Sequence, residues 1–188
     1  TFKDGVLSNK LGLKPDGSWK GGGINLAYHL AYTGTIAGEV PFYMQQNVPT
    51  LYLRQMISEG LGSGNTMRGF YGNRMVADGY AWANAELRIK LFSFTFLKQF
   101  FYVAVNPFYD CGAIVQPYRV EEMAKVFPSS AEQIAKQART FEHSAGIGVK
   151  IAWNENFIVS VEMAKALKNS GLEMGPKTWI NIGTGYAF

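Results

Sequence analysis

The sequence has no long hydrophobic run, few charged residues and almost no cysteine. Among its 188 residues there is no apolar stretch of the ~18 residues that a transmembrane helix requires, so the chain encodes no such helix. Cys111 is the single cysteine, which excludes an intrachain disulfide. Charged residues make up 17% of the chain and the net charge of +4 is not clustered, so we expect no nucleic-acid partner.

The residue combinations that carry most enzyme chemistry are also missing. Neither His29 nor His143 has a cysteine or a carboxylate at metal-ligand spacing, which favours structural histidines over a metal site. The glycines at 21–23 precede a predicted strand rather than a helix, so they do not form a phosphate-binding motif. No Ser/His/Asp arrangement is recognisable. We therefore predict a protein that is not an enzyme and that uses no metal and no cofactor.

The sequence is instead rich in glycine and aromatic residues, and its apolar side chains alternate. From Thr178 to Phe188 every even position is apolar, aromatic or threonine, whereas the odd positions after Trp179 are small or polar. Successive strand residues point to opposite faces, so one face is apolar and the other polar. This pattern is typical of a transmembrane β-barrel strand. A strand of a soluble β-sandwich alternates too, but it would seldom end a chain on an exposed aromatic face.

The same alternation occurs upstream and predicts an all-β fold, a transmembrane antiparallel β-barrel. We place strands near residues 22–34, 79–92, 99–114, 142–153, 156–165 and 177–188. Residues 1–21 are interpreted as a loop, or as a loop with the end of an earlier strand. Segment 121–139 has a helical spacing of apolar residues, and we expect it to form a helix in an extracellular loop.

The predicted connections alternate between short and long. Short turns are expected at Ser93–Lys98 and Asn154–Asn156, and the longest connection is the loop of residues 35–78. Outer-membrane barrels have short periplasmic turns and longer extracellular loops. On that rule, four aromatic residues face lipid together at the periplasmic end as part of an aromatic girdle: Trp153, Phe157, Tyr186 and Phe188.

Three motifs follow one another along this pattern. They are Met67-Arg68-Gly69-Phe70 in the longest loop, Asn84-Ala85-Glu86-Leu87-Arg88 on the next strand and Phe108-Tyr109-Asp110-Cys111-Gly112 on the one after. With this ordered set, residues 22–188 resemble the C-terminal barrel half of the BamA/TamA family of outer-membrane assembly proteins, also called the bacterial surface antigen family. The family usually has tyrosine where this chain has Leu87. Segments 145–150 and 161–167 resemble two further strands of that family.

The resemblance implies that the long loop folds back into the barrel lumen. Arg68, Gly69 and Phe70 would anchor it there, and Arg68 would meet the carboxylates of Glu86 and Asp110. Strand alternation separately points both acids to the polar face, and a partly desolvated guanidinium requires carboxylate partners. The sequence leaves open which acid pairs with Arg68. An exposed loop arginine beside solvated acids is the alternative interpretation.

The resemblance also implies how the chain ends and which strands complete it. Four residues fit the C-terminal recognition strand of the family: Asn181, Gly183, Tyr186 and Phe188. Six strands are fewer than the ~8 of the smallest membrane barrels. We therefore expect them to be the C-terminal part of a sixteen-stranded barrel, completed by strands N-terminal to this chain or by a second chain.

The expected function is the insertion or translocation of outer-membrane proteins through a lateral seam of this barrel. Its expected location is the bacterial outer membrane, with membrane lipids, client outer-membrane proteins and accessory lipoproteins as partners. The alternative is a passive pore or a membrane-anchor barrel of the same fold, which carries a separate surface or periplasmic domain.

Overall fold

A computed structural model describes most of the chain. It covers residues 2–9, 23–38, 47–52, 55–64, 66–72, 74–75, 77–117, 124–125, 127–129, 131–132, 141–154, 157–167 and 175–184. For residues 2–9, 47–52 and 55–59 only the course of the backbone is described. The predicted lipid-facing residues Tyr186 and Phe188 lie outside the described residues, and so does most of the predicted helix at 121–139. Within that segment, residues 124–125, 128–129 and 131–132 are helical.

The described residues form nine strands. In chain order they are β1 (Phe2–Asn9), β2 (Ile24–Thr33), β3 (Asn47–Tyr52), β4 (Gln55–Glu59), β5 (Gly79–Phe96), β6 (Gln99–Gln116), β7 (Phe141–Trp153), β8 (Phe157–Ala166) and β9 (Trp179–Thr184). Seven of them make one sheet in the order β1-β2-β5-β6-β7-β8-β9, and every neighbouring pair is antiparallel. The all-β, antiparallel part of the prediction is confirmed, and six of these strands lie where the sequence placed them to within a few residues.

Two segments that the sequence pattern assigned to loops contain strands. β1 pairs with β2 along its whole length, from Phe2 opposite Ala31 to Asn9 opposite Ile24. The alternative that residues 1–21 include part of an earlier strand therefore holds for residues 2–9, and the interpretation as a loop alone is wrong for them. The alternation in β1 is too irregular to locate this strand from the sequence. Within the long loop, β3 and β4 form a separate two-stranded sheet. β3 contains Pro49, and a proline in the sequence argues against a strand, so this strand was not predicted.

The β5–β6 hairpin is longer than predicted. Both strands have 18 residues, and the turn consists of Leu97 and Lys98 alone, with φ of 48° and 63°. A register shift in β5 between Lys90 and Phe92 changes which residues face outward. Before the shift the odd-numbered residues of β5 face outward, and after it the even-numbered residues do. The regular alternation therefore stops before the strand does. For this reason the predicted turn at Ser93–Lys98 is wrong in its extent.

The two faces of the sheet differ in the sense that strand alternation predicted. One face, called the inner face below, buries a set of polar side chains, which includes Asn84, Glu86, Asn106, Asp110, Ser144, Lys150, Ser160 and Glu162. The outer face exposes large apolar side chains, among them Leu87, Ile147, Val149, Val161, Met163, Ile180 and Ile182. A soluble protein normally buries its large apolar side chains and keeps its charged ones in water. This sheet exposes large apolar side chains on its outer face and buries charged ones on its inner face, beside a smaller apolar cluster.

Aromatic rings line the outer face at the end of the sheet that carries the short turns. Phe94 stacks on Phe101 with ring centroids 5.3 Å apart, and Phe101 stacks on Trp153 at 5.9 Å. Phe157 lies directly opposite Trp153 in the next strand. Two of the predicted girdle residues thus belong to a row of aromatic residues that continues onto β5 and β6.

Candidate functional site

The described residues in the second half of the long loop lie on the inner face and are called the inner loop below; they are residues 60–64, 66–72, 74–75 and 77–78. Backbone hydrogen bonds close it into a narrow tongue: Leu61 N donates to Met75 O at 2.8 Å, and Ser63 N donates to Phe70 O at 3.2 Å. Near the tip, the hydroxyl of Thr66 accepts from Gly62 N at 2.8 Å and donates to Gly62 O at 2.7 Å. These bonds satisfy backbone groups that would otherwise be buried without partners.

Apolar side chains of the inner loop pack against β2, β5 and β6. Leu61, Met67 and Phe70 are fully buried. They share one cluster with Ala31, Met75, Ala77, Tyr80, Trp82 and Ile114. Phe70 therefore lies beside the aromatic residues Tyr80 and Trp82 of the inner face. Gly112 leaves the space that this packing requires, because a Cβ at that position would lie 2.6 Å from Met67 Sδ.

Gly69 turns the backbone at the tip of the inner loop. Its φ is +91°, a conformation that is strained for residues with a side chain. A Cβ on Gly69 would also lie 3.2 Å from the Ser144 Cβ and 3.3 Å from the backbone N of Ala166. The Ser144 hydroxyl in turn donates a hydrogen bond to the carbonyl oxygen of Arg68. The tip is therefore pressed against β7 and β8.

Arg68 lies on the inner face of the sheet and binds Asp110 with two parallel hydrogen bonds. Nε donates to Oδ2 at 2.8 Å and Nη2 donates to Oδ1 at 2.9 Å. The backbone N–H of Arg68 donates to the same Oδ2 at 3.0 Å. Both side chains are almost completely buried, with 1% and 0% of their surface exposed. The two-pronged pairing fixes the orientation of the guanidinium as well as its position.

Two further carboxylates complete the surroundings of Arg68. Nη1 donates to Glu86 Oε2 at 2.9 Å and lies 3.4 Å from Glu162 Oε1. Burial alone would lower the pKa of the Arg68 guanidinium, but the hydrogen bond to Asp110 and the charges of all three acids raise this pKa above its ordinary value. Arg68 is therefore always charged, and the inner loop is attached to β5, β6 and β8 at once.

Two more cations balance the three acids. Lys150 Nζ lies 3.2 Å from Glu162 Oε1 and 3.8 Å from Glu86 Oε1, and it is fully buried. Arg88 Nε donates to Glu86 Oε1 at 3.1 Å. We call the six residues Arg68, Glu86, Arg88, Asp110, Lys150 and Glu162 the arginine latch. Its three negative and three positive charges cancel, which makes their joint burial tolerable.

Glycines on β7 make room for the side chains beneath the latch. The Phe108 ring lies flat against the guanidinium of Arg68, whose Cζ is 3.4 Å from the centroid of the ring. A Cβ on Gly146 would collide with this ring and with the backbone oxygen of Met163, and one on Gly148 would collide with the Asn106 side chain. The Asn106 amide donates to Glu162 Oε1 at 3.3 Å. The Gly-x-Gly pattern of β7 thus has a direct steric reason.

The inner loop also reaches the last described strand. A Cβ on Gly64 would lie 3.7 Å from the Trp179 ring and 3.5 Å from the Asn181 amide nitrogen. Gly183, also from the predicted recognition strand, accepts a hydrogen bond at its backbone oxygen from Ser160 at 3.3 Å. Trp179, which points inward as the alternation predicted, therefore packs beside the inner loop.

The structure brings together all the charged residues that the sequence singled out, and Arg68 contacts both Glu86 and Asp110 rather than one of them. Sequence reasoning missed the roles of Glu162, Lys150 and Phe108. A usable signal existed for Lys150, since a lysine on an inward position of a predicted membrane strand needs acidic neighbours. The buried carboxylate of Glu142 has no hydrogen-bond partner, and nothing among the described residues explains it.

Two kinds of feature are absent from the described residues. They contain no helix that is long and apolar enough to cross a membrane. They also contain no group of three or more histidine, cysteine, aspartate or glutamate side chains arranged to hold a metal ion.

Comparison with known proteins adds no assignment. Neither a family model, nor a curated protein, nor a solved structure matches this chain. The sheet and the arginine latch are therefore the features from which its function is inferred.

Proposed function

We propose that the chain is the C-terminal part of a transmembrane β-barrel of the bacterial outer membrane, and that this barrel inserts or translocates outer-membrane proteins through a lateral seam. The observation that carries the proposal is the reversed polarity of the sheet, in which the inner face is charged and buried and the outer face is apolar and exposed. Membrane barrels have this arrangement because their solvent outside is lipid. No cofactor or reaction is part of the proposal.

The large area of exposed apolar side chains on the outer face supports the proposal that this face contacts lipid. Exposed large apolar residues occur on β2 and on every strand from β5 to β9. Monomeric soluble proteins rarely expose contiguous apolar patches larger than a few hundred Å². A lipid bilayer covers such a face without any further protein, and the row of aromatic rings at one end of the sheet suits the boundary between lipid and water.

The edges of the sheet support an incomplete barrel. In the described residues, β1 and β9 each pair on one side alone. Unpaired backbone groups are not stable in the hydrocarbon region, where water cannot hydrogen-bond to them. We therefore propose that both edges meet further strands, supplied by an N-terminal part of a sixteen-stranded barrel or by a second copy of the chain. The outward edge of β9 is the side on which a client strand would be received.

The arginine latch supports a specific role for the inner loop within that barrel. It ties the loop to β5, β6 and β8, while Gly64 at the loop tip lies beside Trp179 and Asn181 of β9. The position of the loop is thereby linked to the strand that forms one side of the proposed seam. A passive pore or anchor barrel is the second candidate, and it is favoured by the complete charge balance of the latch, which suits a fixed internal plug.

The test is a folding assay with client proteins in lipid vesicles. Vesicles that contain the full-length folded protein should accelerate the folding of an unfolded outer-membrane protein, measured as the shift in gel mobility of unheated samples. Arg68→Ala should remove this acceleration, because the inner loop loses its attachment. Arg74→Ala, which changes an exposed arginine of the same loop, is the matched control and should retain it. Unchanged client folding with the wild-type protein present would favour the passive barrel instead.

A further inference from the structure

Glu142 lies on the inner face of β7, outside the arginine latch, and 0% of its surface is exposed. Neither of its carboxylate oxygens has a hydrogen-bond partner within the described part of the chain. A buried carboxylate without a hydrogen bond or a cation is strongly destabilising. A group of this kind in a folded protein therefore requires an explanation, and no contact in the observed arrangement supplies one.

Each of the strands β5 to β8 has one inward carboxylate, and the four lie at successive levels of the sheet. Measured against the inward residues of β6, from the short-turn end to the long-loop end, they are Glu162 at the level of Asn106, Glu86 at the level of Phe108, Asp110 itself, and Glu142 at the level of Gly112. Successive levels are two residues, or ~7 Å, apart along the strands. Arg68 contacts the first three carboxylates, and Glu142 lies one level further toward the long loops.

The two acids nearest the short turns have cations of their own. Glu86 Oε1 accepts a hydrogen bond from Arg88 Nε at 3.1 Å, and Glu162 Oε1 lies 3.2 Å from Lys150 Nζ. A movement of Arg68 away from them, toward the long loops, would therefore leave each of these carboxylates with a positive partner. This removes the main cost of such a movement, which is a buried charge left alone.

The sheet beside Glu142 has room for the side chain of Arg68. Glu142 is directly opposite Gly112 in β6, which carries no side chain. The space over this glycine is filled by Met67, because a Cβ on Gly112 would lie 2.6 Å from Met67 Sδ. Met67 immediately precedes Arg68 in the inner loop, so a movement of the loop that brings Arg68 to this level also takes Met67 out of the way.

From these observations we infer that the inner loop has two positions, and that in the second one Arg68 lies a level nearer to the long loops, between Asp110 and Glu142. The five N–H donors of a guanidinium suffice for two carboxylates, so all four acids then have a positive partner. The observed position has other contacts in its favour, which are the Phe108 ring against the guanidinium and the hydrogen bond from Ser144 to the Arg68 carbonyl oxygen. These opposing contributions make the inner loop a two-state element.

The second position changes what the inner loop contacts on β9. Gly64 lies beside Trp179 and Asn181 in the observed position, and a shift of ~7 Å along the sheet separates them. The inference goes beyond the proposed function and does not depend on it, because both positions of the loop are defined by the inner face alone. Neither a client protein nor a lipid bilayer is needed to test it.

The first test is a double-mutant cycle on the full-length folded protein, measured by urea unfolding in detergent micelles. Glu142→Gln alone should raise the ratio of folded to unfolded protein at least about fivefold, because it removes a buried charge that has no partner. In an Asp110→Asn background the same substitution should lower this ratio at least about fivefold, because Arg68 then depends on Glu142. Glu132→Gln, which changes an exposed acid outside the sheet, is the control and should leave the ratio within about twofold in both backgrounds.

The second test measures the position of the inner loop directly, and it remains decisive if the aspartate variant does not fold. Spin labels are attached at two exposed positions, Tyr71 in the inner loop and Leu97 in the β5–β6 turn, after the native cysteines, Cys111 among them, are replaced by serine. Phe108→Leu weakens the observed position and should populate a separation of the labels about 7 Å longer, measured by pulsed electron paramagnetic resonance. Adding Glu142→Gln should remove this longer separation.

Two results would overturn the inference. One is an effect of Glu142→Gln that has the same sign with and without Asp110→Asn, and the other is a single separation of the labels that Phe108→Leu does not change. Failure of the client-folding assay would contradict the proposed function alone, since neither of these measurements contains a client protein.

Discussion

Arg68 shows how a single charged residue determines where a loop of this size is placed. Removing a guanidinium from water costs several kcal/mol, so the buried position is stable only because Asp110, Glu86 and Glu162 surround it. The contacts are also geometric, since two parallel hydrogen bonds to Asp110 and the flat Phe108 ring leave the guanidinium one orientation. No other residue type offers this combination of planar shape and permanent charge.

We predict that Arg68→Ala lowers the free energy of unfolding by about 3–5 kcal/mol, because it leaves buried carboxylates without their main partner. Arg68→Lys should lower the free energy of unfolding by a smaller amount than Arg68→Ala, since an ammonium keeps the charge but cannot form the two parallel hydrogen bonds. Urea unfolding of the full-length protein in detergent micelles, followed by intrinsic fluorescence, measures both. Arg74→Ala, on the same loop but exposed, should cost no more than about 1 kcal/mol, because interactions of exposed charged side chains contribute little to stability. Equal stability of all three variants would show that the latch does not anchor the loop.

At the scale of one element, β7 has large side chains on its outer face and glycines on part of its inner face. Its outward residues Ile147, Val149 and Ile151 are exposed, whereas Gly146 and Gly148 on the other side admit Phe108 and Asn106 from β6. Glycine weakens a strand through its backbone entropy. The close approach of the neighbouring side chains explains why the strand keeps it at these two positions.

We predict that Gly146→Ala destabilises the fold by about 1–3 kcal/mol, the usual cost of forcing extra volume into a packed interior. The added methyl group has no flexible neighbour to displace, because it meets the backbone oxygen of Met163 as well as the Phe108 ring. Gly183→Ala in β9 is the control, since its Cβ would have no neighbour closer than 3.6 Å. The temperature at which the protein loses its rapid gel mobility compares the two. A larger shift for Gly183→Ala would contradict this account of β7.

Alternation in the sequence was enough to assign the faces of most strands, because a strand buried on one side must repeat every two residues. It failed where one extra residue enters the ladder. The shift at Lys90–Phe92 moves three phenylalanines to the outer face, and no local residue signals it. β3 and β4 were missed for a different reason, since they form their own small sheet outside the seven-stranded one.

For the molecule as a whole, the sequence predicted the partners of Arg68 more fully than the rest of the latch. Glu86 and Asp110 could be predicted as partners of Arg68 because each has an inward position in its strand and belongs to a recognisable motif. Glu162 and Lys150 join them only through the register of β7 against β8, which sets Gly148 opposite Glu162 and Lys150 opposite Ser160. Register is a property of paired strands, and one strand's sequence does not contain it. The latch is therefore a consequence of how the sheet assembles.

The reversed polarity of the sheet leads to a prediction for the molecule in its membrane. Val161 lies in the middle of the outer face, opposite Val149, whereas Phe157 lies in the aromatic row at its end, opposite Trp153. In a lipid bilayer, Val161→Arg should cost about 2–4 kcal/mol and Phe157→Arg about 0–1 kcal/mol from burial of charge, because the cost of an arginine falls from the bilayer centre to its surface. Reversible unfolding of the full-length protein from vesicles in denaturant measures both values. Both residues are about half exposed, at 43% and 51%, so a face in contact with water would tolerate the two arginines alike. A clear excess cost at Val161 is thus expected of a lipid-facing sheet, and equal costs at the two positions would mean that this face is not in the bilayer.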